Sequence, residues 1–145
     1  MLTAEQQAIR STGIGASDVP AILGVDPWRG PWDVWMAKVH PSDFTDMSEA
    51  MEWGHRLEQA ICDKFLEGRD HFEAKRGETM RSEELSFALA TPDFLLYEDG
   101  RLVGLLEVKT SGWRRLDDWG TPGTDQIPSH YMAQVQWQMF VTGAQ

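Results

Sequence analysis

FALATPDFLLYEDGRLVGLLEVKT, residues 87–110, holds two apolar runs, 87–97 and 102–108, separated by Glu98, Asp99 and Gly100. Both have the length and composition of β-strands, and Asp-Gly is a favoured tight hairpin connection. Side chains alternate along a strand, so Leu105, Glu107 and Lys109 are expected on one side and Leu106 and Val108 on the other. A hairpin closing through Asp99 and Gly100 brings Asp93 toward Glu107, which sets two carboxylates beside a lysine. Such a group suits a hard divalent cation, Mg2+ or Mn2+, that polarises a phosphate and activates a water. An equally ordinary reading is an exposed Glu107–Lys109 ion pair, with Asp93 merely opening a strand after Pro92. Residue spacing leaves both open.

Working outward, residues 48–66 predict a helix, because Met51, Gly54, Glu58, Ile61 and Phe65 recur at spacings of three and four. Glu58 interrupts that otherwise apolar stripe. A buried carboxylate is costly without a partner, so Glu58 is either a contributor to the site from the helical side or one half of a salt bridge with Arg56 or Lys64. Residues 129–140, after Pro128, predict a second helix with Tyr131, Gln134 and Gln138 on neighbouring turns. Gln134 is a candidate for hydrogen bonding to a water or phosphate, and polar surface is the plainer reading. Ser17 before DVPAIL, with Gly24 beyond it, reads as a short capped helix, and Pro31 as the first turn of a helix holding Trp32, Trp35 and Met36. Together these elements predict an α/β or α+β fold, a mixed central sheet flanked by helices.

The 145 residues, with 41% hydrophobic and 25% charged content, have the size and composition of one domain with a real core. A formal net charge of -10 argues against a generic basic coat for nucleic acid or anionic lipid. The excess is uneven, since residues 101–145 carry four acids and four bases. Arg114 and Arg115 fall there. The single cysteine, Cys62, excludes an internal disulfide framework, and it reads as a buried small side chain. His40, His55, His71 and His130 show no HExxH or Cys/His spacing, so zinc is not expected. No apolar run is long enough for a membrane span, and MLTAEQQAIRSTG is no signal peptide, so a cytoplasmic protein is expected. Seven tryptophans are spread along the chain, a distribution that predicts core and groove packing. Near the start, Arg10, Ser17 and Asp18, with glycines at 13 and 15, are candidates for an anion pocket built from a guanidinium, a hydroxyl and exposed backbone N–H groups; a tight turn is the alternative. The chain stops abruptly at Gly143, Ala144 and Gln145, which suggests further strands beyond it.

ATPD at 90–93 and LEVKT at 106–110 resemble the split motif of the PD-(D/E)XK nuclease superfamily. RSTGIGASDVPAILG at 10–24, WGHRLE at 53–58 and IPSHYMAQVQWQM at 127–139 resemble, in the same order, the YqaJ-like viral recombinase and lambda-type exonuclease family. That resemblance spans roughly residues 10–143, which makes 1–145 a single nuclease domain, truncated if further strands follow. It implies that Asp93 and Glu107 ligate Mg2+, with Mn2+ as a substitute. Glu58 would join them from the helix, Lys109 would support water attack on a DNA phosphodiester, and Gln134 would orient the nucleophile or a water. Arg10 and Ser17 match positions associated with capture of a 5′ phosphate, although GAS at 15–17 departs from the common GGS. The implied activity is 5′ to 3′ resection of linear double-stranded DNA in phage or prophage recombination. A single-strand annealing protein is the implied partner, and ring trimers occur among such enzymes. An inactive DNA-binding scaffold, an endonuclease and an RNA-processing nuclease are the competing readings.

Overall fold

Asp99 and Gly100 both adopt positive φ, 50° and 77°, so the loop between Glu98 and Arg101 turns in the sense that matches strand twist. The structure, a computed structural model, describes residues 4–40, 48–110 and 118–144. In chain order the elements are α1 (Ala4–Ser11), β1 (Ile14–Gly15), α2 (Val19–Ile22), α3 (Pro31–Val39) and α4 (Glu49–Leu66). They continue with β2 (Glu73–Arg76), β3 (Met80–Arg81), β4 (Ala88–Ala90), β5 (Phe94–Glu98), β6 (Arg101–Leu106) and α5 (Ser129–Thr142).

The α+β architecture stands, with the strands divided between two three-stranded sheets. One is mixed, in the order β1-β4-β3, with β1 parallel and β3 antiparallel to β4. The other is antiparallel, in the order β2-β5-β6. The apolar run 87–97 is therefore two strands rather than one. Pro92 has no N–H to give a ladder, and the chain crosses from one sheet to the other at Thr91–Asp93. The crossing is tight: the amide of Gly77 donates to Asp93 O at 3.1 Å, and a Cβ at position 77 would lie 1.9 Å from Pro92 O. Only glycine fits there.

The core lies under β4. Ala88 and Ala90 pack with Val141 of α5, and Met80 and Trp137 close over them. Leu89 points to the other face and is fully buried, and its carbonyl accepts the Trp137 indole N–H at 3.0 Å. Leu89→Ala should cost about 2–5 kcal/mol in urea unfolding, the usual range for a cavity left in a packed core.

Several local expectations are corrected. The N-cap of α2 is Asp18, not Ser17, and it makes no side-chain cap bond. Ser48 does cap α4, accepting from Met51 N at 3.3 Å. The buried seam of α4 is narrower than its sequence stripe, because only Glu58 and Cys62 are buried, while Met51 and Ile61 are exposed. Half-buried Gly54 extends that seam by one turn, where a Cβ would stand 3.3 Å from Thr110 Oγ1. Trp28, Trp32, Trp35 and Trp53 are more than half exposed or close to it, at 59, 67, 50 and 56%, so the expected core role of the tryptophans fails for these four. Trp113, Arg114 and Arg115 lie outside the described residues. Among the described residues no helix is long and apolar enough to cross a membrane.

Candidate active site

The β5–β6 hairpin carries one irregularity that bears directly on the site. Near the turn Glu98 pairs with Arg101 and Tyr97 with Leu102, but beyond a register shift Leu96 pairs with Gly104, Leu95 with Leu105 and Phe94 with Leu106. The shift leaves Val103 without a partner of its own. Without it, continued pairing would set Asp93 against Leu106; with it, Asp93 faces Glu107. A bulge that re-aims a side chain by one residue does so without altering the turn. The ladder stops there, because Asp93 Oδ2 accepts the Val108 amide at 2.7 Å in place of a backbone carbonyl.

Strand β6 ends at Leu106, so Glu107 and Lys109 lie just past it rather than within it. They still meet, with Lys109 Nζ donating to Glu107 Oε1 at 2.6 Å. Helix α5 crosses above and contributes two glutamines from adjacent turns. Gln134 Nε2 donates to Glu107 Oε1 at 2.5 Å, and Gln138 Nε2 donates to Glu107 Oε2 at 2.8 Å. The Glu107 side chain is 8% exposed, and the only cation among these donors is Lys109. Gln138 carries little sequence signal, since a glutamine on a helix ordinarily faces water. Its one legible signal is its position four residues after Gln134. Lys109 Nζ also stands 5.2 Å from the Tyr131 ring centroid, and Trp119 stacks with that ring at 5.5 Å.

Asp93 is pushed up to about 6 from an ordinary 3.8. Burial is the largest cause, the Glu107 charge and, less strongly, the Glu58 charge add to it, and the Val108 amide and Lys109 oppose it. Two neighbouring carboxylates, Asp93 and Glu107, offer oxygen ligands of the kind a hard divalent cation takes. Glu58 is held differently. Its Oε1 meets His55 Nδ1 at 2.6 Å, and its Oε2 accepts a short hydrogen bond from Arg76. Burial works to raise the Glu58 carboxyl, but the Arg76 and His55 hydrogen bonds and charges outweigh it and leave it lowered. The partners expected from sequence are engaged elsewhere, Arg56 with Glu52 and Lys64 with Glu67. Among the described residues no three His, Cys, Asp or Glu side chains form a ready-made metal cluster. Asp93 and Glu107 are thus neighbours at the end of the hairpin, and Glu58, whose charge also reaches Asp93, is held by Arg76 and His55.

The N-terminal residues converge on one another too, in a way the sequence did not indicate. Arg10 Nη2 donates to Ser17 Oγ at 2.7 Å, as the two candidate residues require to act together. Asp18, however, occupies the pocket: it is buried, accepts the Gly15 amide at 2.9 Å and pairs with Lys38 Nζ at 2.7 Å. Arg29 approaches the same carboxylate at 4.0 Å and donates a short hydrogen bond to Ser17 O. The expected exposed backbone donor at Gly15 is therefore taken by Asp18, and Arg29 and Lys38 supply positive charge in its place.

The mixed and antiparallel sheets, with α5 crossing over Asp93, Glu107 and Lys109, have the fold of a solved alkaline exonuclease. The chain matches the crystal structure of an alkaline exonuclease (LHK-Exo) from Laribacter hongkongensis with a TM-score of 0.70 at 22% identity, covering 99% of this chain and 70% of that one. The complex of LHK-Exo with dAMP matches with a TM-score of 0.71 at 21% identity and the same coverage. The YqaJ-like viral recombinase domain matches residues 5–145, and the chain belongs to that family. The uncharacterized protein YqaJ of Bacillus subtilis (strain 168) is 32% identical over 136 residues. That alignment covers 92% of this chain, which spans 40% of the length of that relative.

Proposed function

We propose that residues 1–145 are a nuclease domain that hydrolyses phosphodiester bonds of linear double-stranded DNA from the 5′ end, in phage or prophage recombination. The observation that carries this reading is Asp93 facing Glu107, with Lys109 and Gln134 both on Glu107 Oε1. Asp93 and Glu107 are the residues that would hold Mg2+, or Mn2+ in its place. Glu58 can join them only by exchanging Arg76 or His55. When bound, the cation supplies Lewis acidity at the scissile phosphate and lowers the pKa of the attacking water. Lys109 contributes positive charge where the phosphorane develops its own negative charge. Gln134 orients Glu107 and a nearby water through its amide. The net charge of -10 then leaves DNA contact to local cations, and Arg10 with Ser17 is the candidate for a terminal phosphate, beside Arg29 and Lys38, whose charge Asp18 partly offsets.

The test compares 5′-phosphorylated linear duplex, the same duplex with a 5′ hydroxyl, circular duplex and RNA, each with Mg2+. Rapid loss of the phosphorylated linear duplex with the circle intact is the expected result; cleavage of the circle would point to an endonuclease, and binding without turnover to a scaffold. Arg10→Ala should erase the preference for a 5′ phosphate, a loss of about 10- to 100-fold on that substrate, as suits one charge-assisted hydrogen bond. An unchanged preference would remove Arg10 from the role. Addition of a single-strand annealing protein and measurement of solution mass address the partner and a trimer.

A further inference from the structure

Gln138 is fully buried, at 0% exposure, and its Nε2 is committed to Glu107 Oε2 at 2.8 Å. Its Oε1 is buried and meets no hydrogen-bond donor among the described residues. An unpaired buried amide oxygen costs on the order of 1–3 kcal/mol, and an apolar residue of the same length would fill the same volume without that cost. Packing alone therefore does not explain a glutamine at this position. Two features point to the metal centre instead. The committed end of the amide engages the carboxylate oxygen that Lys109 and Gln134 leave open, which holds the Glu107 plane through both oxygens and leaves lone pairs for a cation. The uncommitted end is an acceptor, and next to a carboxylate that would hold a hydrated cation, a water of that cation is a donor of the right chemistry.

We infer that Gln138 is a positioning residue of the metal centre, which aligns Glu107 through Nε2 and receives a water of the cation's shell on Oε1. This rests on the reading of Asp93 and Glu107 as the metal-holding pair. Gln134 and Gln138 then form a two-glutamine clamp on one face of α5, in which only Gln134 lies on the Lys109 side of the carboxylate. Loss of a residue that orients a metal ligand typically weakens metal affinity by about 10- to 100-fold.

Direct Mn2+ binding by calorimetry, with water-proton relaxation of the bound Mn2+, tests this on the whole chain without turnover. Gln138→Met keeps length and removes the amide; it is expected to weaken Mn2+ about 10- to 100-fold and to change the relaxation of the bound ion's waters. Gln138→Ser, which leaves room for a water, serves if the methionine variant does not fold. Wild-type Mn2+ affinity and relaxation in the folded Gln138 variant would overturn the inference and make Gln138 a packing residue. Glu107→Gln separates the two levels: if it weakens Mn2+ and Gln138→Met does not, only the role of Gln138 fails, whereas if Glu107→Gln binds Mn2+ as the wild type does, the metal-holding pair fails with it.

Discussion

Glu107→Ala is expected to reduce Mg2+-dependent degradation of linear duplex DNA by at least about 1,000-fold, with the fold retained. The magnitude follows from what the side chain touches. Glu107 receives Lys109, Gln134 and Gln138, so its removal takes away a carboxylate for the cation and leaves three donors without their shared acceptor. Losing several kcal/mol of metal-borne stabilisation of the transition state corresponds to roughly three decades in rate. Lys109→Ala should fall in the same direction but less steeply, by about 100- to 1,000-fold, because it removes one electrostatic donor and spares the carboxylate pair. Single-turnover cleavage with circular dichroism alongside separates this from unfolding. Activity of Glu107→Ala within tenfold of the wild type would refute the site.

The second large effect is a reversal of sign between stability and metal binding at Asp93. Its carboxyl is raised from 3.8 to about 6 in the fold, so between those values the native state binds a proton that the unfolded chain has released. Stability of the metal-free protein is therefore full below about pH 4 with respect to this group and is lost as pH rises through about 6. A cation requires the ionised form, so Mg2+ binding strengthens across the same interval. Thermal melts should show Tm falling from pH 5 to pH 7 without metal, and the increment added by Mg2+ growing over that range. Asp93→Asn removes the buried charge while keeping an oxygen for the Val108 amide. It should raise the metal-free Tm at pH 8 by about 5–10 °C, a change on the order of 2–3 kcal/mol, and abolish both the Mg2+ increment and cleavage. A lower Tm in Asp93→Asn at pH 8 would show that Asp93 is not the strained group.

Individual residues show how far sequence reading reaches. Asp99-Gly100 forecast its turn because positive φ at both positions is a local property of those residues. The spacing of residues 48–66 forecast α4 for the same reason, since periodicity is local, and Ser48 caps the helix in the structure. Pro92 was also legible as a strand breaker, yet the run 87–97 reads as one strand when its apolar content is weighed above its missing N–H. Glu58 was recognisable as an anomaly in an apolar stripe, but its partner was not: Arg76 lies on another element, and no spacing rule reaches across eighteen residues to a neighbouring strand. The tryptophans misled, because large aromatic residues are usually buried and nothing local marks the α2–α3 connection or the faces of α3 and α4 on which four of them are exposed.

The sequence by itself narrowed the class to α/β or α+β and determined the hairpin, the two flanking helices and which acids, lysine and glutamine were candidates for the site, since turn chemistry and periodicity are properties of short segments. Tertiary structure decided which of them meet. The bulge at Val103 sets Asp93 against Glu107 rather than Leu106, the docking of α5 turns Gln138 from apparent surface into a buried clamp, and Arg76 from β2 takes the Glu58 carboxylate. Each depends on register or on a crossing between distant segments, where one residue of slip changes the partner and leaves the local pattern unaltered.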